Sequence, residues 1–407
     1  MSNIYLVTTQ EQLFENDLYK IIGVEESLRL LEPLKIVGLD TETDSLDCHT
    51  GKLLLLQLGC IDFQIVIDCT TIDIRKYKSY LESDRLFLFW NARFDLKWLF
   101  NYKIVPKRVW DGYLGEKLLW LGYPTVLSPE VWEKIKEPRY TYVPEDKENK
   151  KKPYYIIYMN LKKAGEMYLG VELDKTIRGQ IIWRGIDPKV IKYAALDVKY
   201  LESIRNEQNK KLKEVGLLTA MDYECKFIIP LAYLEYCGVK VDTDKWKQKM
   251  NKDNAELDAV ITKMNQWLIE NDPKSKYIYI NYQGDLFAEN PFDLSPKVNI
   301  NWNSGKQVIP IFKKFGVDVE VEADGENKDS INEKVLAPQK DKCGLIPLYI
   351  EYKGLMKLVS TYGQNLLDQI NPHTGRLYTN FNPIGTDTAK TCSNICLIRK
   401  LFVTLYY

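Results

Sequence analysis

At 407 residues the chain is too long for one compact core and long enough for two or three domains. Hydrophobic residues make up 45% and charged residues 28%, an ordinary globular composition that argues against wholesale disorder. With 56 basic and 56 acidic residues the formal net charge is zero, so any nucleic-acid contact has to come from a local patch rather than from the overall field.

Apolar runs such as Leu53 to Leu56 are far short of a membrane span, and the first residues lack the basic and apolar regions of a signal peptide. No membrane partner is expected, and the chain reads as intracellular, with a cytoplasmic location. Eight cysteines are scattered without a Cys-x-x-Cys pair, and the two histidines are His49 and His373, which argues against a zinc site and for reduced, structural thiols. Chemistry built on histidine has almost nothing to work with. Carboxylates suited to hard, oxygen-binding cations are plentiful.

Taken in chain order, short apolar runs between turn residues predict strands at Ile36-Val37-Gly38-Leu39, Leu53 to Leu58, Phe63 to Ile67 and Leu86 to Trp90. Helical spacing follows in Phe94 and Trp98, and again in the stripe Ile191, Ala194, Val198 and Leu201. Asp187 as N-cap and Pro188 at the first helical position predict where that second helix starts. An α/β domain with a mixed sheet is therefore expected over about 1–215. Between 122 and 158 the periodicity breaks down around the charged, proline-flanked stretch 144–153, which reads as an exposed insertion. From about Ala220 onward the pattern is mainly helical, giving a second expected domain over 216–407.

Three acidic sites fall at or beside the ends of these elements. Asp40 and Glu42 follow the strand 36–39 and, two apart, project to the same face. Asp95 lies in Asn91-Ala92-Arg93-Phe94-Asp95, where a strand passes into a helix. Tyr193 and Asp197, four apart, share a helix face beside the apolar stripe. Alone, each has a structural reading: a solvent-facing pair, a helix cap with a first-turn charge, a surface hydrogen bond. Their combination and order point to catalysis.

Together these residues resemble the DEDD exonuclease superfamily in its tyrosine subclass. Asp40-Thr41-Glu42-Thr43-Asp44-Ser45-Leu46 is similar to the first motif, Asn91 to Asp95 to the second and Tyr193 to Asp197 to the third. Gly170 to Arg178 is similar to the segment that precedes the third motif. The resemblance spans roughly 34–210 and implies an RNase H-like fold, a mixed sheet flanked by helices. It implies a 3′→5′ exonuclease using two divalent cations, Mg²⁺ or Mn²⁺, held by Asp40, Glu42, Asp95 and Asp197. Two such cations suit an in-line phosphodiester attack. A phenol with a solution pKa of about 10 is a poor base at neutral pH, so Tyr193 is expected to orient the attacking water. Leu46 and Asn91 match positions that contact the 3′-terminal nucleotides; core packing and a helix cap are the alternatives.

The second half resembles family A DNA polymerases. Glu224 to Asp242, Asn301 to Gln307, Lys357 to Gly363, Thr374-Gly375-Arg376 and Gly385-Thr386-Asp387-Thr388 are similar, in order, to that family's thumb and early palm. Thr361 and Tyr362 are the DNA contacts this implies. After Thr388 the family pattern calls for Gly-Arg where Ala389-Lys390 stands, and residues 391–407 no longer follow it. The palm carboxylates and fingers lie beyond this point in the family. The expectation is a proofreading exonuclease joined to a partial, thumb-like polymerase region, split or truncated as in a phage or bacterium. By itself it would not synthesise DNA. Single-stranded 3′ ends and primer-template are the expected partners, and the apolar residues between about Leu377 and Tyr407 are expected either to be poorly ordered or to await a second chain carrying palm and fingers. The alternatives are an RNase D-like RNA 3′-end nuclease and a non-catalytic DNA-binding subunit.

Overall fold

The computed structural model describes residues 3–393 other than 138, 147, 150, 174–176, 178, 281–293, 324–325 and 387–390. Two compact units emerge: one runs up to Val239 and resumes at Tyr378, the other is Lys240–Leu377.

The first unit is built on seven strands, β1 Ile4–Val7, β2 Lys20–Ile21, β3 Ile36–Thr43, β4 Leu53–Gly59, β5 Gln64–Asp68, β6 Leu86–Phe89 and β7 Arg108–Asp111, in the order β2-β1-β5-β4-β3-β6-β7. β3, β4 and β5 form an antiparallel meander; β6 and β7 extend it in parallel from β3, and β1 and β2 in parallel from β5. This is the expected mixed sheet. Its strands are apolar on both faces because helices cover both. On one face Val37, Leu39, Leu56, Leu58, Ile65 and Ile67 pack with Leu96 and Leu99 of α2, Ala92–Asn101. On the other, Leu6, Leu55 and Val66 pack with Ile191, Ala194 and Ala195 of α5, Pro188–Lys199. Between these helices in the chain come α3, Gly112–Leu119, and α4, Leu161–Leu169; α1, Val24–Leu31, precedes them.

Within 122–158 the chain is more ordered than its broken periodicity suggests. The strands β8 Val126–Leu127, β9 Thr141–Val143 and β10 Tyr154–Ile156 make a small antiparallel sheet. Trp132 stacks on Tyr155 with ring centroids 4.3 Å apart. Short, aromatic-rich strands give too few residues for a period to register; the charged stretch 144–153 is the connection between β9 and β10.

After α6, Leu201–Glu214, the chain continues as α7, Leu218–Cys237. The compact units divide at 239 and 377. Met221, Cys225, Ile228, Leu231 and Ala232 of α7 join the same core as the sheet and α2, which ties this helix to the first unit. The second unit is mainly helical, with α8 Thr243–Asn271, α9 Gly305–Lys314 and α10 Leu345–Tyr362. Its core gathers Leu257, Val260 and Met264 of α8, Phe312 of α9 and Tyr349 of α10. The expectation of uncovered apolar surface between Leu377 and Tyr407 falls largely outside the described residues. Among those described, no helix is long and apolar enough to cross a membrane.

Candidate active site

β3 ends in Asp40-Thr41-Glu42-Thr43, paired with β4 up to a register shift between Glu42 and Thr43. Alternation along the strand turns Asp40 and Glu42 to the face covered by α5, and Thr41 to the other. α5 begins as its residues dictate: the Asp187 carboxylate accepts from the Val190 N–H at 2.8 Å and Pro188 occupies the first turn. Tyr193 and Asp197 therefore stack one turn apart on the helix side facing the strand, both buried. Asp40, Glu42 and Asp197 each bring one carboxylate oxygen to within 4.8 Å of the others.

That approach depends on Gly38. A Cβ at this position would lie 2.6 Å from the carbonyl oxygen of Val198, a backbone atom that cannot swing aside. Gly38→Ala is therefore expected to push α5 off β3, lower stability by roughly 1–3 kcal/mol and separate Asp197 from Asp40. Thermal unfolding together with nuclease activity checks this; unchanged values would show that the close approach is dispensable.

Asp95 is not part of the three-carboxylate group. It is buried in the first turn of α2, and the Thr41 hydroxyl donates to its Oδ1 at 2.6 Å. Burial above all pushes its carboxyl above the usual range; the Thr41 bond opposes this, and the charges of Asp111 and Glu42 add to it. The elbow that carries it is braced by Asp111 at the end of β7, which sequence reasoning missed. Its carboxylate accepts from the N–H groups of Asn91 at 2.8 Å and Ala92 at 3.0 Å, and from Tyr113 N–H at 3.0 Å. Asn91 itself adopts a left-handed backbone with φ 73° and makes no side-chain cap. The helix-cap alternative for Asn91 thus falls away. The only sequence signal for Asp111 was an acid at a strand-to-helix junction, the same signal that singled out Asp95.

Burial, followed by the negative charges of Asp197, Glu42 and Asp40 and the hydrogen bond to Asp197, pushes the Tyr193 phenol well above its ordinary value. It stays protonated throughout the neutral range. Leu46 is 88% exposed, so core packing is excluded for it. It rides on a self-braced turn: Asp44 N–H donates to the Lys52 carbonyl at 3.1 Å and Gly51 N–H to the Asp47 carbonyl at 2.9 Å. The His49 ring in that turn stacks between Tyr236 and Tyr378, at 5.0 and 4.4 Å. Asp47, Cys48 and His49 also bring ligand atoms close together. The Asp47 carboxylate is occupied with the His49 N–H and the Thr50 hydroxyl, the pattern of a turn. In the second unit Thr361 is exposed and Tyr362 half-buried at the end of α10, where the Tyr362 carbonyl accepts from Trp246 Nε1 at 2.9 Å.

Three carboxylates converging from a strand and a helix repel one another unless a cation or protons lie among them, and an all-oxygen donor set suits a hard divalent ion. The residues present therefore fit a divalent metal. Residues 18–213 match the family model of the 3′–5′ exonuclease and residues 287–396 that of DNA polymerase family A. DNA polymerase I of Borreliella burgdorferi is 23% identical over 97% of this chain and 38% of its own length. That of Aquifex aeolicus is 24% identical over 91% of this chain and 55% of its own. The chain thus spans between about two fifths and just over half of these relatives. Among solved structures, the Pol1 polymerase domain from M. smegmatis, in complex with DNA primer-template and dNTP, aligns over 96% of this chain and 55% of its own with a TM-score of 0.61 at 13% identity, a likeness of fold. The chain thus matches the 3′–5′ exonuclease domain in its first half and part of the DNA polymerase family A domain in its second, and is similar along most of its length to proteins named DNA polymerase I.

Proposed function

We propose that this protein removes nucleotides from the 3′ ends of DNA by metal-dependent hydrolysis, as a proofreading nuclease. The observation that carries this reading is the convergence of Asp40, Glu42 and Asp197 beside the phenol of Tyr193. In it Asp40, Glu42 and Asp197 would hold Mg²⁺ or Mn²⁺, with Asp95 as the fourth carboxylate for a second ion. Such cations supply electrophilic stabilisation of an in-line phosphodiester displacement and lower the pKa of the attacking water. Tyr193, kept neutral and hydrogen-bonded to Asp197, accepts a hydrogen bond from that water and fixes its line of attack. Leu46 stands against the terminal bases as an apolar wedge, and Asn91 contacts the terminal nucleotide. Thr361 and Tyr362 touch DNA in the second unit.

Relatives named DNA polymerase I favour DNA over RNA as substrate. Matched DNA and RNA oligonucleotides, labelled at the 5′ end, test the reading. DNA is expected to shorten stepwise from its 3′ end, and single-stranded or mismatched ends faster than paired ones, because unstacking a terminal nucleotide costs a few kcal/mol in duplex and less at a mismatch. Equal rates on blunt duplex and single strand would remove the proofreading role, and a preference for RNA would remove DNA as the substrate.

A further inference from the structure

Gln57 stands in β4 directly opposite Asp40 in the antiparallel register. Residues opposed in this way have Cβ atoms about 4.5–5.5 Å apart and share a sheet face. The glutamine is 0% exposed, and its face is the one on which Leu55, Val66, Ala194 and Ala195 pack. Neither its Oε1 nor its Nε2 has a hydrogen-bond partner among the described residues.

An amide buried without partners destabilises a fold by about 1–3 kcal/mol. A methionine or leucine would fill the same space in this apolar layer without that penalty, so packing does not account for the residue. What the register does place beside it is a carboxylate of the three-carboxylate group. A carboxylate that binds a cation through one oxygen is oriented by a donor on the other, and such partners set the geometry and affinity of the site.

We propose that Gln57 is a positioning residue for Asp40: its Nε2 donates to the Asp40 carboxylate when that group holds a divalent cation, fixing which oxygen faces the ion. Gln57 touches neither cation nor DNA, and the bond to Asp40 would give its buried amide the partner it otherwise lacks. The inference rests on Asp40 being a metal ligand.

The test compares wild type, Gln57→Met and Asp40→Ala in the 407-residue chain. Three properties are measured: thermal midpoint, Mn²⁺ affinity by calorimetry, and kcat and KM on a single-stranded oligonucleotide. Gln57→Met is expected to melt at or above the wild-type temperature in EDTA, because an unpartnered amide has gone. It should bind Mn²⁺ about 10–100-fold more weakly, with kcat lowered, KM for DNA unchanged and higher Mn²⁺ restoring part of the rate. Wild-type Mn²⁺ affinity and kcat in Gln57→Met would overturn the proposal while leaving Asp40 as ligand. A lowered melting temperature in EDTA would overturn it too, since the amide would then be holding the core. Wild-type Mn²⁺ binding by Asp40→Ala would instead remove the ligand assignment on which both readings stand.

Discussion

Asp40→Ala and Asp197→Ala are each expected to stop degradation of single-stranded DNA from its 3′ end. Each removes one of three oxygens that lie within 4.8 Å of one another, which weakens the hold on a divalent ion and leaves it misplaced for the reaction. Electrophilic stabilisation by a metal is worth several kcal/mol, and each 1.36 kcal/mol is a factor of ten in rate, so kcat/KM should fall by about 10³ or more. Unfolding would not be the cause. Removing one of three like charges relieves repulsion in the metal-free protein, so both variants should melt in EDTA at or above the wild-type temperature. Tyr193→Phe behaves differently, because it removes only the orientation of water; a loss on the order of 10² fits one proton-transfer contribution. Wild-type digestion of a 5′-labelled strand by both aspartate variants would place the active site elsewhere.

The parts of this site legible in the sequence are those fixed locally. A strand period puts Asp40 and Glu42 on one face, and the Asp187-Pro188 start sets the register that brings Tyr193 and Asp197 round together. What was hidden depends on neighbours distant in the chain. The helix cap was the alternative for Asn91, yet its backbone is left-handed and the capping acceptor is Asp111, twenty residues on, delivered by the next parallel strand. Asp95 comes from a different helix, and its Oδ1 accepts from Thr41, on the other face of the strand that carries Asp40 and Glu42. Gly38 carries no chemistry at all; only the position of Val198 reveals why a side chain is excluded there. The packing of α7 is hidden for a related reason. Helical periodicity announces α7, but nothing in its own residues says which core its apolar side chains join.

The second large effect is expected from Glu235, a residue outside every catalytic motif. It lies buried on α7. Its carboxylate meets Arg93 Nη1 at 2.7 Å and Lys97 Nζ at 3.2 Å, and accepts from the Phe381 N–H at 2.7 Å. Arg93 donates in turn to the Phe381 carbonyl. Arg93 and Lys97 flank Asp95 by two residues on either side, so this network pins the helix that carries the fourth acid. Glu235→Ala leaves two largely buried cations without their counter-charge and a backbone N–H without its acceptor, a change expected to destabilise the first unit by about 3–5 kcal/mol, or on the order of 10 °C. Ion pairs of this kind need not be better than apolar packing, however; it is the half-removed pair that is costly. The triple variant Arg93→Met, Lys97→Met, Glu235→Leu should therefore melt above Glu235→Ala, although it deletes three charges instead of one. Thermal unfolding of the two variants decides the point. If the triple variant is the less stable, the network contributes net stabilisation of its own. If Glu235→Ala melts with the wild type, the network does not hold α2 in place.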